Sequence, residues 1–183
     1  MNSNRLAYLL ALLIPAALLG GALIAQYGFG MPPCEMCWWQ RYPHIVALAL
    51  AVLAWVTKRD ALVALAALAI LVSGAIGAFH AGVEYKWWDG LTACTANAAA
   101  GGDPLASIMA APIVRCDVAP WELGGISLAG FNFLISTAAG LVILFLIRRR
   151  AGKASRGAKH HECCGSTRPA NTARPGFTRA NSR

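Results

Sequence analysis

Charge is what this chain has least of. Only 13% of its 183 residues are Asp, Glu, Lys or Arg, about half of the roughly 25% that a soluble domain carries. Acidic residues are scarcer than basic ones, 8 against 16. With 57% hydrophobic residues and a mean hydropathy of +0.53, a disordered chain is excluded. The apolar residues fall in blocks rather than in periodic stripes, which excludes an ordinary cytosolic enzyme. The prolines and glycines follow no repeat, so a collagen-like chain is excluded as well. A net charge of +8 would suit a nucleic-acid binder, but the placement of the charges assigns them another task. This is a membrane protein.

Roughly 20 apolar residues in a helix cross a bilayer core, and irregular backbone cannot face lipid. Four runs meet that need: 6–25, 38–57, 61–83 and 123–147. The second is short unless Trp38 and Trp39 sit in the interface and Arg41 snorkels to the headgroups. The first also resembles a signal peptide, but its apolar stretch is longer than such peptides use, which favours an uncleaved anchor. Arg5, Lys58, Arg59 and the basic residues from Arg148 onward fall on one side of the resulting topology. Only Arg41, Lys86 and Arg115 fall on the other. The positive-inside rule then puts both termini in the cytoplasm and turns the loops Gln26–Arg41 and Glu84–Glu122 outward. The expected fold is an all-α integral membrane protein, a four-helix transmembrane bundle over residues 1–150 with two outward loops. Residues 151–183, rich in Gly, Ser, Ala and Arg, read as a disordered basic cytoplasmic tail that can touch anionic lipid.

Topology sorts the six cysteines into pairs. Cys34 and Cys37 form a C-x-x-C at the end of the first outward loop. Cys94 and Cys116 share the second, and Cys163 and Cys164 lie in the tail. The first two pairs face an oxidising compartment, where disulfides persist. C-x-x-C serves thiol exchange, zinc and haem attachment alike. Trp38 in place of His after Cys37 removes c-type haem. A zinc site from Cys34, Cys37, Cys94 and Cys116 lacks the short second spacing usual in structural zinc. Static disulfides are the plainer reading. For Cys94–Cys116 that reading has merit, since closing such a loop is worth about 3 kcal/mol. For Cys34–Cys37 it is poor, because so short a ring constrains little and is typical of exchangeable disulfides.

Two further residues stand near these thiols. If a helix begins near Cys37, Arg41 lies at i+4 on the same face. There it favours the Cys37 thiolate, or it stabilises the negative oxygen of a quinone being reduced. The alternative is an interfacial arginine that holds headgroups. Pro43 works against the helical placement, because Tyr42 before it is biased away from helix. His80 ends the third run, and an ionisable group at a membrane boundary is a functional candidate. Glu84, four residues on, is placed to orient or protonate it. The alternative is a packing histidine.

Taken together these residues resemble the disulfide bond formation protein B (DsbB) family. Cys34-Glu-Met-Cys37-Trp-Trp-Gln-Arg41 is similar to that family's C-x-x-C-x-x-x-R signature. Phe79-His80-Ala-Gly-Val-Glu84 leads through Trp87-Trp88 to Thr92-Ala93-Cys94. Cys116-Asp-Val-Ala-Pro-Trp121 then opens the entry to the fourth run. The resemblance covers about residues 6 to 147. It implies an inner-membrane enzyme that reoxidises a periplasmic thioredoxin-like dithiol oxidase (DsbA-like) and passes electrons to a membrane quinone, ubiquinone or menaquinone. By that likeness Cys94 is attacked by the partner's thiol, Cys116 exchanges with Cys34, and Cys37 engages the quinone, with Arg41 and His80 lining its site. The competing readings are the same chemistry run in the reducing direction or for one dedicated partner, and a non-enzymatic scaffold with stapled loops. Leu105, Ile108 and Met109 have the spacing of a short surface helix, or are simply apolar residues of a loop. His160, His161, Cys163 and Cys164 carry metal-binding side chains in a low-complexity stretch, and incidental composition is the plainer reading.

Overall fold

A computed structural model describes residues 3–91 and 114–164. The chain divides into two units, Met1–Arg149 and Arg150–Arg183. Among the described residues there are four helices: α1 (Ser3–Gly28), α2 (Glu35–Thr57), α3 (Asp60–Glu84) and α4 (Leu128–Cys164). A short antiparallel pair, β1 (Glu122–Leu123) and β2 (Ile126–Ser127), precedes α4. Three stretches are long and apolar enough to cross a membrane: Arg5–Gly28, Asp60–Glu84 and Leu128–Arg149. Their apolar surface is turned outward. Leu13, Ile24, Leu65, Val72, Leu134, Leu141 and Phe145 are exposed, as side chains that face lipid are.

Small residues face inward instead. Ala47, Ala51 and Ala54 of α2 meet Val63, Ala66, Ala67 and Ile70 of α3, with Tyr8 and Ala11 of α1 and Ile143 of α4. Where lipid is as apolar as leucine, helices associate through close contact rather than through the hydrophobic effect, so small side chains hold the seams. Between α3 and α4 the approach is closer still. A Cβ on Gly77 would stand 3.0 Å from the Ala129 carbonyl oxygen, and one on Gly74 would stand 2.9 Å from Thr137 Oγ1. At the α2–α3 turn Lys58 adopts the left-handed conformation and its N–H closes on the Ala54 carbonyl at 2.8 Å. Tyr8 ties α1 to that turn by donating to Asp60 Oδ1 at 2.9 Å.

Two boundaries differ from those the sequence suggests, both on α4, while the second run is helical throughout. α2 runs helically through Tyr42 and Pro43, because packing on α1 and α3 outweighs the local bias. The fourth long helix starts at Leu128, not Leu123, because Gly124 and Gly125 both have positive φ (61° and 77°). That conformation suits a two-residue hairpin, not a helix. Tyr85 locks the hairpin by donating to the Gly125 carbonyl and accepting from the Ser127 N–H, each at 2.9 Å. At its other end α4 is helical as far as Cys164, where the sequence suggested irregular chain. Ala, Lys and Arg, frequent there, are good helix formers.

Candidate functional site

The opening of α2 sets the geometry. Cys34 caps the helix in an extended conformation, and its sulfur accepts the Cys37 N–H at 3.3 Å. The two sulfurs are then 3.0 Å apart, with Cys34 donating to Cys37. That hydrogen bond, together with burial, pushes the Cys34 thiol far above the ordinary thiol range. The same bond pulls Cys37 below it, and the nearby Arg41 charge adds to this against the effect of burial. Of the two, Cys34 keeps its hydrogen and Cys37 is the one that ionises first, to the nucleophilic thiolate.

α3 brings up the second half of the site. His80, 2% exposed, sets Nε2 3.6 Å from Cys34 Sγ and 3.6 Å from Glu84 Oε1. The backbone of Cys116 also hydrogen-bonds to His80. Cys116 is fully buried and packs with Cys34, Met36 and Val83; it is disulfide-bonded. Its neighbours are pinned to the end of α3. Asp117 accepts from Arg115 Nε at 2.9 Å and Nη2 at 2.6 Å, and from Lys86 Nζ at 2.5 Å. The Arg115 hydrogen bond, with Lys86 in support, holds the Asp117 carboxyl well below the usual carboxylate range.

Arg41 lies one helical turn beyond Cys37, as the i+4 reading requires, but it reaches across to α1. Its guanidinium donates to Gln26 Oε1 at 2.6 Å and to the Ala22 carbonyl at 3.3 Å. It also lies 4.9 Å from the centre of the Trp38 ring. At 8% exposed, it is a buried arginine rather than a headgroup anchor. Beside it lies a cavity of about 210 Å³. Its walls are Ala17, Gly21, Ala22 and Ala25 of α1, Cys37, Gln40, Arg41 and His44 of α2, His80 and Glu84 of α3, and Phe131 and Asn132 of α4. The structure thus joins Cys34, Cys37, Arg41, His80 and Cys116 in one region. Cys94 and the Leu105–Met109 segment lie outside the described residues, as do the side chains of the His160–Cys164 cluster.

The sequence did not single out the polar residues between the helices. Gln40 Nε2 is 2.7 Å from His80 Nδ1 and 3.3 Å from the Met36 carbonyl. Its Oε1 accepts from Asn132 Nδ2 at 2.8 Å. Asn132 Oδ1 is 3.0 Å from His44 Nε2 and accepts from Ser136 Oγ at 2.9 Å. A polar side chain within an apolar helix was the available signal, and His44 carries it most clearly.

Cys34, Cys37 and His80 offer ligand atoms within 4.8 Å of one another, close enough for a metal ion. The hydrogen bonding opposes one. A metal-bound histidine donates its other ring N–H to an acceptor, whereas here Gln40 presents a donor to Nδ1. Cys116, held in a disulfide, offers no thiolate to the four-cysteine set.

A thiol pair at the start of α2, set against a polar-edged cavity among apolar helices and beside a disulfide-bonded cysteine, defines a membrane dithiol–disulfide protein. The comparisons with known proteins agree. The family model of Disulfide bond formation protein DsbB matches residues 4–146. Disulfide bond formation protein B of Polaromonas sp. (strain JS666 / ATCC BAA-500) is 32% identical over 149 residues, which covers 74% of this chain and 85% of that protein. No solved structure matches the chain. The chain belongs to the DsbB family, with the disulfide-forming role that membership carries.

Proposed function

We propose that the protein is a dithiol:quinone oxidoreductase that reoxidises a periplasmic thioredoxin-like dithiol oxidase. The observation that carries this reading is the Cys34–Cys37 pair, its thiolate on Cys37, at the wall of a cavity edged by Arg41, His44 and His80. In the cycle, a partner thiolate attacks Cys94, breaking its disulfide with Cys116 and forming a mixed disulfide. The partner's second thiol then resolves that bond, so the partner leaves oxidised and Cys94 and Cys116 hold its two electrons. Cys116, packed against Cys34, exchanges with the Cys34–Cys37 disulfide and passes the electrons inward.

The cavity suits a quinone, ubiquinone or menaquinone. It is apolar along α1 and polar at one edge. Two buried polar atoms without a partner among the described residues, His44 Nδ1 and Glu84 Oε2, both belong to residues that line it. Such atoms call for a ligand. A bound quinone would supply an acceptor for two electrons and two protons. Arg41 would hold one of its oxygens, and His80 would set the polar edge beside Cys34.

The same reading takes α2 across the membrane as a fourth span, with Trp38 and Trp39 at the interface and Val46, Val52, Leu53 and Val56, all exposed, toward lipid. It places the chain in a bacterial inner membrane with both termini cytoplasmic and the cysteine loops periplasmic, as the distribution of Lys and Arg favours. The test is quinone reduction in liposomes, started by a reduced thioredoxin-like protein, for wild type and Cys37→Ser. Turnover by wild type and none by a folded Cys37→Ser variant supports the assignment. No turnover by folded, quinone-loaded wild type with several dithiol donors leaves the stapled scaffold or a dedicated partner in its place.

A further inference from the structure

The polar chain between α2, α3 and α4 has a direction that can be worked out from its acceptors. Asn132 Nδ2 lies 3.2 Å from the Ser73 carbonyl oxygen and 3.2 Å from Ser73 Oγ. A carbonyl only accepts, and the Ser73 hydroxyl hydrogen is already given to the Gln40 carbonyl at 2.8 Å. The amide nitrogen of Asn132 must therefore face Ser73, which turns Oδ1 toward His44. Met36 does the same for Gln40, whose Nε2 must face that carbonyl while Oε1 accepts from Asn132.

Two backbone carbonyls thus set both amides, and the amides set both histidines. An acceptor, Asn132 Oδ1, stands 3.0 Å from His44 Nε2, so that nitrogen carries the hydrogen. In the neutral ring the other nitrogen is then a bare lone pair. His44 Nδ1 is buried and has no partner among the described residues, and the ring is 3% exposed at the cavity wall.

We infer that His44 Nδ1 accepts the hydroxyl hydrogen of a hydroquinone, so that the cavity binds the reduced form of its ligand more tightly than the oxidised form. The inference rests on the quinone reading above and goes beyond it. A quinone carries only carbonyl acceptors, so against Nδ1 it sets one lone pair opposite another. A hydroquinone turns an O–H toward the same atom. Arg41 demands neither form, because a carbonyl and a hydroxyl oxygen can both accept from a guanidinium. His44 does, and a contact present with one ligand form and absent with the other shifts the balance between them.

The experiment measures binding of a short-chain ubiquinone analogue and of its hydroquinone to the full-length protein in detergent, for wild type and His44→Leu. Wild type is expected to prefer the hydroquinone. His44→Leu is expected to lose about fivefold to tenfold in hydroquinone affinity, the worth of one hydrogen bond, with quinone affinity within about twofold. Equal loss for both forms, or no preference in wild type, overturns the inference and leaves the quinone reading standing. Failure of folded wild type to bind either form overturns both. If His44→Leu does not fold, nitrogen-15 spectra of histidine-labelled wild type decide. A shift of the His44 Nδ1 resonance on adding hydroquinone, and none on adding quinone, supports the inference. An imidazolium signature or an unmoved resonance overturns it.

Discussion

Gln40 and His80, forty residues apart in sequence, meet with Nε2 and Nδ1 separated by 2.7 Å. The amide cannot turn round without setting its oxygen against the Met36 carbonyl. It is therefore the donor, and His80 presents its own N–H from Nε2 toward Cys34 and Glu84. Gln40→Glu replaces that donor by an acceptor and moves the ring hydrogen to Nδ1. Nitrogen-15 spectra should show the tautomer exchanged, and dithiol-driven quinone reduction should fall about tenfold, as for the loss of one buried hydrogen bond. An unchanged tautomer rules out the positioning role.

The Cys37 thiolate owes most to the Cys34 S–H. Because its pKa is lowered, the thiolate persists below the ordinary thiol range and is lost only as the pH falls through that depressed value. Alkylation of Cys37 in the reduced protein should stay fast well below pH 9. In Cys34→Ala the rate profile should move up toward the value of an ordinary thiol. Arg41→Gln should move it in the same direction by less. A profile that does not move in Cys34→Ala contradicts the assignment of the proton to Cys34.

Gly21 faces the cavity with nothing within 4 Å of an added Cβ. Gly21→Leu should therefore leave the helices packed and fill part of the cavity that Gly21 lines. In steady-state assays the KM for quinone should rise about tenfold or more while thermal stability changes little. This is the reverse of what an overpacked core position does.

Gly82 has no such room, because a Cβ there collides with the Trp88 ring. That ring stacks on Phe79 at 5.7 Å between centroids, and its Nε1 donates to the Phe79 carbonyl at 3.0 Å. Gly82→Ala should expel Trp88, raise its fluorescence quenching by added acrylamide, and cost about 1–3 kcal/mol of stability.

Asp117 joins Arg115 and Lys86 around Cys116. Its carboxyl is held below the usual range, so the stabilisation is complete above the ordinary carboxylate pKa and is lost as pH falls through the depressed one. Lys86 and Arg115 are exposed, so solvent screens both pairs and each contributes little to the stability of the fold. Asp117→Asn should therefore leave the fold intact and speed reduction of the Cys116 disulfide by a mild dithiol, with high salt doing the same to wild type. Equal reduction rates in variant and wild type disprove the tether.

What could be read from sequence is what lies close in sequence. The Cys34–Cys37 pair, Arg41 one turn on, and His80 with Glu84 at i+4 all follow from local spacing, and the structure brings them together. The Gln40–Asn132 and His44–Asn132 contacts join residues separated by 92 and 88 positions, and no local period encodes such a meeting. The start of α4 was misread for a different reason. Apolar residues run unbroken past Gly124-Gly125, and the run hid a turn signal that the two glycines carry plainly. Pro43 argues locally against a helix that nonetheless forms, because local bias is weak against the packing of a whole helix.

The Tyr85 hydroxyl, which both gives and takes a hydrogen bond at the Gly124-Gly125 hairpin, makes the end of α3 and the start of α4 a single abutment. Val83, buried against Cys34, Met36 and Cys116, and Lys86, held by Asp117, stand beside that same abutment, so a load on the chain around Cys116 meets the joined ends of two helices rather than one.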